Sequence, residues 1–228
     1  MKPDIIVSWP VNSDYPLWRR FIAENRKLFN RVIVVFTYTY GYYDYSNFVI
    51  KNFDADITFV TATTPDGKTD WRNVAVNNGL NYSQSEWVWF TEQDFIPKDG
   101  FLTDVNKLVL EGCDLVAVMV ADWMHPCSIF AKRSIIEKTK KDFGVKKDEL
   151  DHFGIFQKDV EGMNIIMGVT EDKFEHLNGL TSNFSLISNG YKPNYEPERF
   201  KQYIEDCLSS GMKLEPTFEE VCKRYLNV

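Results

Sequence analysis

The strongest constraint in this chain is a rhythm: short, nearly continuous runs of apolar and β-branched residues at 5–7, 32–36, 57–60, 87–90 and 115–120, with helix-patterned stretches between them. Continuous runs belong to strands covered on both faces, and strands separated by helices build a parallel sheet. Between the first two runs, residues 16–29 carry Leu17, Phe21 and Leu28 among Arg, Asn and Glu, the stripe of a helix lying on a sheet. Asp70 is placed to cap a second helix with Trp71, Val74 and Ala75 on its inner face. Asp99 or Gly100 opens a third, with Phe101, Leu102, Val105, Leu108 and Val109 inside. These patterns predict an α/β fold with a mainly parallel sheet between helices.

The last third is less regular. Residues 128–131 and 164–169 have the composition of short strands. Two helical patterns close the chain, Phe200, Tyr203, Ile204, Cys207 and Leu208, then Phe218, Val221, Cys222 and Tyr225, parted by Gly211 and Pro216. They resemble a cap or packing surface. No repeat, low-complexity tract or long linker divides the 228 residues, and 44% apolar content with 15% aromatics supplies one packed core. A single domain is expected.

The formal charge of −7 and a pI near 5.1 set the field of the chain against nucleic-acid backbones and anionic lipid. Cys113, Cys127, Cys207 and Cys222 show no Cys-x-x-Cys spacing, which argues against a thiolate zinc site and a dense disulfide framework and for reduced, buried thiols. The opening apolar run is too short for a signal-peptide core or a transmembrane span. Together these features predict a cytoplasmic protein with no transmembrane segment and no nucleic-acid partner.

The fourth run passes directly into Glu92-Gln93-Asp94. In extended backbone, residues i and i+2 project to the same side, so the two acids are expected to face one site while Gln93 faces elsewhere. Ligand crevices of open α/β sheets lie at the carboxyl ends of strands, where this pair falls. Two hard oxygen ligands there suit Mg²⁺ or Mn²⁺, with substrate phosphates completing the coordination. A solvated acidic turn ahead of Pro97 is the plainer alternative.

The order of motifs resembles that of the GT-A glycosyltransferases, in particular their large inverting nucleotide-sugar family, over roughly residues 4 to 170. Ser8-Trp9-Pro10-Val11-Asn12 stands where that family has a Pro-containing loop with a nearby Asn. Trp71-Arg72-Asn73 stands for a helix-opening Ala-Arg-Asn, and Glu92-Gln93-Asp94 follows at the spacing of the Asp-x-Asp motif. Ile129-Phe130-Ala131-Lys132-Arg133, then Asp148-Glu149, then Gln157-Lys158-Asp159-Val160-Glu161 follow the acceptor half and put Asp159 at the catalytic base. The departures are Glu92 for the first Asp, Lys158 for an acid, Ile165 for an Arg, and a loop crowded by Tyr38, Tyr40, Tyr42, Tyr43 and Tyr45.

The resemblance implies a GT-A fold and a metal-dependent enzyme that moves a sugar from a UDP- or GDP-linked donor to a carbohydrate or other hydroxyl acceptor, with inversion. Residues 1–95 would form the nucleotide-binding half, 96–195 the acceptor half and 196–228 the C-terminal helices. Glu92 and Asp94 would hold Mn²⁺ or Mg²⁺, and His176 would be a third ligand whose imidazole favours Mn²⁺. Donor binding would fall to Pro10, Asn12, Tyr38, Lys68, Arg72 and Gln93. Arg72 would offer its planar fork to the diphosphate from the first turn of a helix, and Tyr38 a stacking face. Trp123 and His125 would line the acceptor pocket. Asp159 would take the proton of the attacking hydroxyl, with Asp151 as its rival.

Each residue also has a plain structural role open to it: Asp151 and Asp159 as helix caps, His176 as a satisfied histidine, Lys68 as a solvated lysine, the tyrosines as a packed surface loop. Two other functions stay open. A nucleotidyltransferase joins a parallel sheet to metal-bound carboxylates as well, but normally has a Gly-rich basic loop after the first strand, and Pro10-Val11-Asn12-Ser13-Asp14 is neither. A non-catalytic GT-A-like binding module is kept open by Lys158 and Ile165.

Overall fold

The structure is a computed structural model and describes residues 1–10, 13–38, 43–63, 71–120, 123–139, 160, 165–167, 173–177 and 179–227. Seven strands form its main sheet: β1 (Asp4–Pro10), β2 (Arg31–Tyr38), β3 (Thr58–Thr63), β4 (Trp87–Glu92), β6 (Leu115–Val120), β7 (Trp123–Lys132) and β8 (Ile165–Met167). Their spatial order is β3-β2-β1-β4-β7-β6-β8. Only β7 runs against its neighbours, being antiparallel to both β4 and β6. A separate two-stranded ribbon pairs β5 (Phe95–Pro97) with β9 (Phe174–His176).

The helices are α1 (Pro16–Asn25), α2 (Tyr43–Asn52), α3 (Trp71–Tyr82), α4 (Phe101–Leu110), α5 (Arg133–Thr139), α6 (Leu180–Ser188), α7 (Pro197–Ser209) and α8 (Pro216–Leu226). Alternate residues of each strand feed two cores. Ile5, Val7, Trp9, Val34, Phe36 and Trp89 face a large aromatic core that α1, α4 and α6 to α8 complete. Ile6, Ile33, Val35, Val88 and Phe90 face a smaller one closed by Ala75, Val76 and Leu80 of α3 and by α5. This two-sided burial is why the strand sequences run apolar without alternation. Helix α3 lies so close that a Cβ on Gly79 would sit 2.4 Å from Ile6 Cγ2, which reserves that position for glycine.

All five expected strands are present. Residues 128–131, expected as a short strand, are part of the ten-residue β7, which forms an antiparallel hairpin with β6. Its first half, Trp123-Met124-His125-Pro126, has no alternation to betray it. Helix α1 ends at Asn25, and a 3-10 turn over Arg26–Leu28 follows, leaving Leu28 at 40% exposure instead of on the inner face. The buried residues of α1 are Pro16, Trp18, Arg19 and Ile22, Leu17 and Phe21 pack partly buried against the core as expected, and Arg19 finds a buried partner in Asp14. Tyr43 and Tyr45, expected in a loop, lie in α2, and Tyr45 packs partly buried against the aromatic core. Asp70, Tyr40 and Tyr42 lie outside the described residues. No helix among the described residues is long and apolar enough to cross a membrane.

Candidate metal centre

The carboxyl ends of the parallel strands carry the site. Strand β4 ends at Glu92, Gln93 and Asp94 make a turn, and β5 begins at Phe95. Phe95 is fully buried, its ring 5.1 Å from Phe174 and 5.2 Å from Phe101, and this wedge fixes where the turn leaves the sheet. The indole N–H of Trp18 donates to the Glu92 carbonyl at 3.0 Å and holds the strand end from below. The two acids therefore share a site, as their spacing predicts, but through a turn rather than through extended backbone.

Strand β9 brings the third group. Phe95 pairs with His176, and the Leu177 N–H donates to the Asp94 carbonyl at 3.0 Å, so the ribbon carries the imidazole over the turn. One ligand atom from each of Glu92, Asp94 and His176 lies within 4.8 Å of the others. His176 Nε2 is 3.8 Å from Asp94 Oδ1. That oxygen is buried and accepts no hydrogen bond from any of the described residues. Two carboxylates and an imidazole are a donor set for a divalent cation, Mn²⁺ above Mg²⁺ on the strength of the nitrogen, and a cation would satisfy the orphaned lone pair. The residues present fit the metal that the resemblance implies.

Electrostatics agree with the geometry. Burial pushes the Asp94 carboxyl well above the usual range, the neighbouring Glu92 charge adds to this, and Arg72 opposes both. Arg72, in the first turn of α3, pairs through Nε with Glu92 Oε1 and lies over the Trp71 ring at 4.2 Å. The buried Cys127 thiol is likewise pushed up, by burial first and then by Glu92 and Asp94.

Of the other expected donor residues, Pro10 closes β1 and pairs in register with Thr37. Tyr38 closes β2, its side chain outside the described residues, as are Asn12 and Lys68 entirely. Gln93, also expected at the donor, is buried at 2% exposure, and its amide donates to Thr181 Oγ1 at 3.4 Å. In β7, Trp123 and His125 precede Ser128, which pairs with Thr91. Their backbone thus runs on past the β4 pairing toward the site, while their side chains lie outside the described residues. Asp151 and Asp159 lie outside them too. The basic pair is structural: Lys132 bonds Asp114 at 2.5 Å, and Arg133 donates to the carbonyls of Leu80 and Ser83 at the end of α3.

Sequence reasoning missed Tyr15, Thr181 and two buried hydroxyls without partners among the described residues, Ser8 Oγ and Thr37 Oγ1, near the carboxyl ends of β1 and β2. A serine after the apolar run Ile5-Ile6-Val7 of β1 was the one available signal.

The sequence matches no family model and no curated protein. The fold, in contrast, is shared with solved structures. The mannosyltransferase PcManGT from Pyrobaculum calidifontis, in complex with GDP-Man and Mn²⁺, superposes with a TM-score of 0.53 at 16% identity over 97% of this chain and 68% of its own. Glucosyl-3-phosphoglycerate synthase from Mycobacterium tuberculosis, in complex with Mn²⁺, UDP and glucosyl-3-phosphoglycerate, gives 0.53 at 13% identity over 81% and 75%. 4-Diphosphocytidyl-2C-methyl-D-erythritol synthase from Anaerococcus prevotii gives 0.53 at 12% identity over 76% and 91%. The chain has the Rossmann-like fold that GT-A glycosyltransferases and nucleotidyltransferases share.

Proposed function

We propose that this chain is a metal-dependent glycosyltransferase that moves a sugar from a UDP- or GDP-linked donor to a carbohydrate or other hydroxyl acceptor, with inversion, as a single domain in the cytoplasm. The observation that carries the reading is the convergence of Glu92, Asp94 and His176 at the carboxyl edge of the sheet, with an unpartnered carboxylate oxygen among them. A divalent cation there supplies charge neutralisation for a departing diphosphate. Arg72, already on the Glu92 carboxylate, would meet the same diphosphate with its guanidinium fork. Asp159 would accept the proton of the attacking hydroxyl, and Asp151 is the alternative base. All four cysteines are buried and none is paired in a disulfide, an arrangement compatible with a reducing compartment.

A nucleotidyltransferase is the second reading, favoured by the equal structural likeness to a diphosphocytidyl-transferring synthase. Thermal unfolding separates the two, since a ligand bound only by the native state raises apparent stability. Sugar transfer predicts stabilisation by UDP or GDP that needs Mn²⁺, and Mn²⁺-dependent hydrolysis of a nucleotide sugar that Asp159→Asn abolishes. Stabilisation by CTP or ATP with no response to UDP or GDP would transfer the assignment to nucleotidyl transfer. Nucleotide binding without turnover of any nucleotide sugar or NTP would leave a binding module.

A further inference from the structure

Gln93 lies between two of the proposed metal ligands, yet it contributes nothing to their site. Its amide is buried and donates through Nε2 to Thr181 Oγ1 at 3.4 Å, and its Oε1 has no partner among the described residues. The same Thr181 hydroxyl meets the hydroxyl of Tyr15 at 3.0 Å. Tyr15 is 1% exposed and its ring packs edge-on against Trp9 at 5.0 Å. Three distant segments therefore meet on one oxygen: the residue before α1, the β4–β5 turn, and the first turn of α6.

That oxygen is tied to both ends of the metal site. Helix α6 opens directly after β9, with Leu180 N–H on the Leu177 carbonyl at 3.1 Å and Leu177 N–H on the Asp94 carbonyl at 3.0 Å. Displacing Thr181 displaces the segment that holds His176, and displacing Gln93 displaces Asp94. A buried amide whose carbonyl finds no partner among the described residues costs stability that an apolar side chain would not. Outer contacts that orient metal ligands account for such an arrangement.

We propose that Thr181, with Gln93 and Tyr15, is a positioning node that sets the separation of Asp94 and His176, an inference that rests on the metal-site reading above. These are positioning residues: they act through the ligands and touch neither substrate nor cation. The C-terminal segment then belongs to the donor site's machinery, because it carries both His176 and the hydroxyl that holds the opposite ligand in place.

The test is Mn²⁺ binding by the full-length protein, measured by calorimetry and by the electron paramagnetic resonance spectrum of the bound ion, beside metal-free thermal unfolding. Thr181→Val keeps the volume and removes the hydroxyl, and it is expected to weaken Mn²⁺ binding by about 10–100-fold and to alter the spectrum. Thr181→Ser is expected to restore both. Gln93→Met is a second, independent probe with the same expectation should Thr181→Val fold poorly. Wild-type Mn²⁺ affinity and spectrum in folded Thr181→Val and Gln93→Met proteins, whatever their melting temperatures, would reduce the node to packing and overturn the inference. Absence of saturable Mn²⁺ binding in the wild type, matching Asp94→Ala, would remove the metal reading and the node with it.

Discussion

The two ends of the parallel sheet bury carboxylates and treat them in opposite ways. At the amino end, Asp4 is fully buried and accepts from five donors: Asn30 Nδ2, Ser83 Oγ, Gln84 N, Ser85 N and Ser85 Oγ. Burial alone would raise its pKa, but the backbone N–H groups of Ser85 and Gln84 and the two serine hydroxyls outweigh it and hold it below the ordinary carboxylate value. At the carboxyl end, Asp94 is buried too, at 8% exposure, lies beside another acid, leaves an oxygen without a donor among the described residues, and is pushed up. A charge whose lone pairs are all met is stitching; one left short of donors is held for a ligand. Asp14 shows that distance along the sheet is not the cause. Lying beyond β1, it is met by Arg19 Nε at 2.9 Å, Arg19 Nη2 at 2.8 Å and the Glu215 N–H at 3.2 Å.

The comparison breaks most visibly at Arg19. Besides Asp14, this buried guanidinium donates to the carbonyls of Lys213 at 2.7 Å and Asn52 at 3.3 Å, so it ties the β1–α1 loop to the segment between α7 and α8. Arg19→Ala leaves Asp14 buried and uncompensated, and a loss of about 3–5 kcal/mol in unfolding free energy is expected by denaturant titration. A loss under about 1 kcal/mol would mean that the pair is no better matched than a surface one.

Asp4→Asn is the next effect in size. Substitution removes the charge from hydrogen bonds worth about 1.5–3 kcal/mol where a charged group takes part, and turns two acceptor sites into donors facing donors. Because the folded-state pKa is lowered, the stabilisation is whole above the unfolded value, near 3.9, and is lost as pH falls through the folded value. The stability gap between wild type and Asp4→Asn should therefore be flat near neutrality and narrow in strong acid. A gap that narrows between pH 7 and 5 would contradict the assignment.

How much of this was legible beforehand depended on how local the cause was. The strands were, since β-branched runs such as residues 32–36 state their own burial. The acid pair was, because its place after a buried strand carries the meaning, and His176 followed from motif order. The β6–β7 hairpin was not: Pro126 and His125 interrupt any strand pattern, and pairing between β4 and β6 supplies what propensity lacks. The Tyr15–Thr181 contact joins residues 166 apart, and no periodicity encodes a tertiary hydrogen bond. Arg19 carried no signal in the sequence because its partner Asp14 is five positions away, beyond the reach of helix spacing.

The smallest effect is the most discriminating, because its sign is opposite. Asp94 pays a desolvation cost that the unfolded chain does not, so Asp94→Asn should raise the metal-free stability by about 1 kcal/mol, the scale of relieving one under-satisfied buried polar group. Its folded pKa is raised, so the destabilisation is whole above that value, shrinks as pH falls toward the unfolded value, and vanishes below it. Unfolding of wild type and Asp94→Asn in chelator should then differ at neutral pH and converge on acidification, starting from a higher pH than the Asp4 pair does. Adding Mn²⁺ should reverse the order, since only the wild type gains from a bound cation. If Asp94→Asn destabilises the metal-free protein as Asp4→Asn does, both ends of the sheet bury their acids for the same structural reason, and the carboxyl end loses its claim to a reserved charge.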